Sequence, residues 1–97
     1  MNQHEEIREL EEYINLILTV ARLMGLEAKK ESNTYVIKKN KKHYWSFSLL
    51  LDTLLVITDK YHIQKYYIHE THEEKINRLK KILEELNGDL IDKWISS

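Results

Sequence analysis

The chain of 97 residues contains no cysteine. Disulfide staples and thiolate metal ligands are therefore excluded, and a packed core must hold the structure. Glycine occurs twice, at Gly25 and Gly88. That is too few for a glycine-rich phosphate loop or a nucleophile elbow, which need bare backbone at several set positions. Long apolar runs are also missing. The longest, residues 49–51 and 54–57, fall far short of the roughly 20 residues that span a bilayer. No basic–apolar leader pattern opens the chain. These absences lead us to expect one soluble, cytoplasmic domain over residues 1–97, with no membrane partner. A domain of this size buries roughly 60–70% of its unfolded surface, so self-association would add useful burial.

Charge is abundant but segregated. The net value is −1. Residues 1–25 carry −3, residues 26–48 carry +4, residues 49–69 balance, and residues 70–97 carry −2. Only the stretch after the first helix is positive.

Periodicity gives the elements. Ile7, Leu10, Ile14, Ile17, Ala21 and Met24 recur at steps of three and four, which places them on one helical face. A second row, Tyr13, Leu16, Val20 and Leu23, lies beside them. Gly25 stands where a helix ends in a left-handed cap, with Leu26 placed to pack back. From Leu26 the period drops to two. Short strands are expected over residues 26–31, 34–39 and 43–49, with turns at Ser32-Asn33 and Asn40-Lys41. In the third, His43, Trp45, Phe47 and Leu49 share one face, and Tyr44, Ser46 and Ser48 the other. Residues 54–58 include the β-branched Val56, Ile57 and Thr58 and are bracketed by Asp52 and Asp59, which favours a fourth strand over the competing helical spacing. Residues 62–68 are a candidate fifth.

Thr71-His72-Glu73-Glu74 has the form of a capping box that opens a second helix. Its stripe is Ile76, Leu79, Ile82, Leu83 and Leu86. Asn87-Gly88 is expected to end it, with a separate turn from Asp89 folding Leu90, Ile91, Trp94 and Ile95 onto the core. The expected fold class is α+β: a long N-terminal helix, an antiparallel meander of three to five strands, and a C-terminal helix, both helices on one sheet face. With three strands this order resembles that of double-stranded-RNA-binding domains. Their lysine-rich motif at the start of the last helix has no counterpart in His72-Glu73-Glu74, which would repel phosphate, so the resemblance stops at topology.

For function, the sharpest signal is the basic hairpin. Lys29, Lys30, Lys38, Lys39, Lys41 and Lys42 surround two adjacent turns, beside Tyr35, Tyr44 and Trp45. Lysines neutralise phosphates and an exposed aromatic such as Tyr44 stacks on bases, so DNA or RNA is one expected partner. The competing explanation is edge protection, since lysines keep small sheets soluble. The second signal is the row Tyr13, Leu16, Val20 and Leu23. If the sheet and second helix leave it open, it is an interface, most simply for a homodimer. His69, His72 and Glu73 form an incomplete ligand set, so no metal or other cofactor is expected. Asp52, Asp59, Ser46 and Ser48 read as turn and strand residues rather than catalytic ones. The expected protein is a non-enzymatic binding module.

Overall fold

The computed structural model describes residues 2–40, 42–50, 53–60 and 63–96, without the side chains of residues 42–44 and 60. Its elements are α1 (Gln3–Leu23), β1 (Glu27–Glu31), β2 (Thr34–Lys39), β3 (Lys42–Leu50), β4 (Thr53–Lys60), β5 (Ile63–His69) and α2 (His72–Ser96).

Both ends of α1 are written locally. The Asn2 side chain accepts the Glu5 amide at 2.9 Å, and Glu5 and Glu6 place negative charge in the first turn. At the other end Gly25 takes φ of 83°. This lets the Leu26 amide reach Ala21 O and the Gly25 amide reach Arg22 O, both at 3.0 Å. Those two bonds form the Schellman motif and satisfy carbonyls that the helix would leave open.

The strands form one antiparallel meander in the order β1-β2-β3-β4-β5. Residues 54–58 lie inside β4 and residues 63–69 form β5, so the helical reading of that region is excluded. Ser32 and Asn40 take φ of 58° and 53°, as tight reversals require. Asp59 is not a turn residue; it pairs with Gln64 within the β4–β5 ladder. Asp52 and Lys41 lie outside the described residues.

Register decides which face is covered. Ala28, Ile37 and Trp45 stand side by side, and Tyr35, Phe47, Val56 and Tyr67 form the next row. The helices pack on this face, α1 towards β1, α2 towards β5, and each against the other. The expected place of His43 on this face lies outside the described side chains. From α1 through the five antiparallel strands to α2 the chain reverses six times, an even number, so α1 and α2 run the same way. Glu9 accordingly meets His72 at one end and Met24 meets Lys93 at the other.

The C-terminal helix departs from expectation. α2 continues through Asn87-Gly88 to Ser96 without a break. The reason is the stripe: Leu86 and Leu90 are both buried, four residues apart, on either side of Gly88. Burying Leu90 is worth about 1.5–3 kcal/mol, which outweighs the ~1 kcal/mol that glycine costs inside a helix. A Cβ at Gly88 would meet nothing within 4 Å. Gly88→Ala is therefore expected to stabilise the protein by about 0.5–1 kcal/mol, read as a higher urea midpoint with unchanged slope. A loss of stability would show that the helix is not continuous there.

Candidate functional site

The six lysines do not make one surface. Alternation sends Lys29 and Lys38 to the open sheet face and Lys30 to the helix side, where its ammonium lies 5.6 Å from the Tyr35 ring centroid. Lys29 bridges Glu27 at 3.2 Å and Glu31 at 3.3 Å, and Lys38 reaches Glu31 at 3.4 Å. Hydrogen bonding from Glu27 and then Glu31 raises the Lys29 pKa. Lys29, followed by Lys38, holds the Glu31 carboxyl below its ordinary range. Acids are thus interleaved with the bases. Lys39 is exposed at the end of β2. Lys41 and the side chains of Lys42 and Tyr44 are outside the description. Trp45 is core, as alternation implies.

The second row of α1 is split. Val20 is 7% exposed and belongs to the core cluster, while Tyr13 packs against that cluster with the Lys80 ammonium of α2 6.0 Å from its ring centroid. Val20 is therefore core rather than interface, which corrects that part of the expected row, and Tyr13 is half-buried beside α2. Leu16 and Leu23, seven residues apart on one strip, stay 48% and 62% exposed. The C-terminal segment does not cover them. Because α2 runs on straight, Ile91, Trp94 and Ile95 project from its last turns, and Trp94 is 64% exposed. The Lys93 ammonium donates to Met24 O at 2.9 Å and brings these two helix ends together. Exposed apolar side chains therefore stand on both helices, Leu16 and Leu23 on α1 and Ile91, Trp94 and Ile95 on α2.

The histidines do not converge. His69 ends β5, where the Arg78 Nε donates to its Nε2 at 3.0 Å. Arginine is always a donor, so that nitrogen must be the bare one and the proton sits on Nδ1. Desolvation first, and the Arg78 charge second, lower the His69 pKa; Glu74, with Oε2 3.8 Å from Nδ1, opposes them more weakly. The guanidinium of Arg78 also lies 4.0 Å from the Tyr67 ring centroid. His72 instead faces α1, its Nε2 3.3 Å from the Glu9 carboxylate. Only half of the capping box is present: Thr71 Oγ1 accepts the Glu74 amide at 3.2 Å, while the Glu74 side chain turns to His69. Among the described residues no three His, Asp or Glu side chains are grouped for a metal, and no helix is long and apolar enough to cross a membrane.

Lys75 escaped the sequence reading, although a signal was there. It occupies the first position of the stripe 75, 79, 82, 86, where a leucine would be expected, and it is the one buried charged residue among those described. No family model, curated protein or solved structure matches the chain.

Proposed function

We propose that the protein works by binding rather than by catalysis, and that it binds a second copy of itself through the ends of α1 and α2. The observation that carries this is the joint exposure of Leu16, Leu23, Ile91, Trp94 and Ile95. Together they offer several hundred Å² of apolar surface, at or above what a monomer ordinarily leaves open. A two-fold axis through this surface would double the buried area and bring it to the range of a stable interface. Trp94 is the natural anchor, since interface energy concentrates on large aromatic side chains. Nucleic-acid binding through residues 26–48 is the lesser reading. Its support is their +4 charge, but a phosphate must displace Glu27 and Glu31 from Lys29 and Lys38.

Light scattering at micromolar concentration tests the main reading. The expected mass is twice the 11.7 kDa of one chain. Leu23→Glu combined with Trp94→Glu is expected to give a folded monomer. Each replaced side chain forfeits about 1.5–3 kcal/mol of transfer energy, so dissociation should rise at least ~100-fold. A parent protein that scatters as one chain ends this reading.

A further inference from the structure

Under the N-terminal half of α1 lies a cavity of about 250 Å³. Ile7 and Leu10 of α1, Tyr35 and Leu49 of the sheet, and Lys75 of α2 line it. Lys30, Glu6 and Glu11 line it as well; Lys30 and Glu11 are exposed and Glu6 is half-buried, so these charges belong to its mouth. Lys75 belongs to its depth, because the residue is only 8% exposed. Its side chain has no hydrogen-bond or ion-pair partner among the described residues. The stem is buried while the unpaired ammonium keeps contact with the solvent that fills the cavity, where it is open to an incoming counter-charge. One helical turn away in α2, at the same wall, His72 is held through Nε2 by Glu9, and its Nδ1 is buried with no hydrogen-bond partner. Lys75 also lies at the end of the first turn of α2, where the helix dipole favours negative charge. A core-stripe lysine, a helix N-terminus and apolar walls therefore meet at one small cavity.

We propose that this cavity binds a small organic carboxylate, with Lys75 as its counter-charge. The chemistry of the walls selects that class. The depth offers one ammonium, that of Lys75, which matches one negative charge, while Lys30 at the mouth is set over the Tyr35 ring. Glu6 and Glu11 at the mouth repel a dianion such as a phosphate monoester. Ile7, Leu10, Leu49 and the Tyr35 ring accept a short apolar body, and the volume is at the small end of ligand sites. The site is separate from the helix-end surface, and neither proposal depends on the other.

The test is a titration of the full chain with benzoate, followed by amide NMR shifts, with inorganic phosphate and benzylamine in parallel. Benzoate is expected to move the amides of Tyr35, His72 and Lys75 saturably at millimolar concentration, and to raise the melting temperature. Phosphate and benzylamine are expected to do neither. Lys75→Met should abolish the benzoate response while leaving the fold intact, because the stem still packs and the counter-charge is gone. Should the methionine variant fail to fold, Lys75→Gln carries the same arm. Absence of saturable shifts, shifts that persist without Lys75, or an equal response to phosphate would each overturn the proposal.

Discussion

Phe47→Ala is expected to lower the unfolding free energy by about 3–5 kcal/mol. Phe47 is 1% exposed at the middle of β3, the central strand. Its neighbours across the ladder are Tyr35 and Val56, and its ring stacks on Tyr35 with centroids 5.6 Å apart and planes 16° from parallel. The substitution removes both the transfer energy of the ring and a stack worth about 0.5–1.5 kcal/mol. β2 and β4 fix the backbone on either side, so the space cannot close by collapse. A chain of this length has roughly 5–15 kcal/mol in total, and a loss of this size takes a large share of it. The urea midpoint should fall by roughly 2 M with the slope unchanged, measured at fixed protein concentration because self-association would contribute. Leu50→Ala, on the open face of the same strand, should stay within about 0.5 kcal/mol of the parent. A loss under ~1 kcal/mol for Phe47→Ala would mean that the helices do not sit on the Phe47 face.

The elements most readable from sequence are those whose signals are local. The change of period at Gly25 marks the end of α1 because glycine alone adopts φ of 83° without strain, and the two cap bonds follow. The β-branched residues of β4 announce a strand because both faces of it are covered or half-covered. β5 was harder. Tyr67 and His69 point under α2 while Tyr66 and Ile68 point to solvent, so its polarity does not alternate although its geometry does. The continuation of α2 is not legible locally, because Asn87-Gly88 is a stop signal and the buried pair Leu86 and Leu90 overrides it through tertiary contact.

The same distinction explains the candidate sites. The basic hairpin is legible as composition, yet its ion pairs come from structure: alternation along β1 sets Glu27 and Glu31 on either side of Lys29, and the pairing of β1 with β2 brings Lys38 to Glu31. The α1 row Tyr13, Leu16, Val20 and Leu23 is legible as a surplus of apolar side chains. Which half of it α2 takes depends on where the two helices lie side by side. With an odd number of strands they run parallel, so the C-terminal ends of both helices share one end of the molecule. Leu23 and Trp94 are thereby exposed at the same end of the molecule although they stand at opposite ends of the sequence.

Arg22 is the residue whose loss should most weaken the join between helix and sheet edge. It sits in the last turn of α1 and donates from Nε at 3.0 Å and Nη2 at 2.8 Å to the carbonyl of Ala28 in β1. The Gly25 cap makes this reach available, since it turns the chain back on itself within six residues. β1 is an edge strand paired on one side only, and it touches α1 while no described ladder lies beyond it. A charged donor on a neutral carbonyl is worth about 1.5–3 kcal/mol where solvent is partly excluded. Arg22→Ala is expected to cost an amount in that range. Arg22→Lys should recover less than half of it, because a single ammonium cannot present two donors in a rigid fork. Hydrogen exchange separates this from a general loss of stability: the β1 and β2 amides should exchange faster, while those of β3 and β4 follow only the global change. A lysine variant as stable as the parent, with β1 protection intact, would show that the charge alone matters and that the fork does not hold the edge strand.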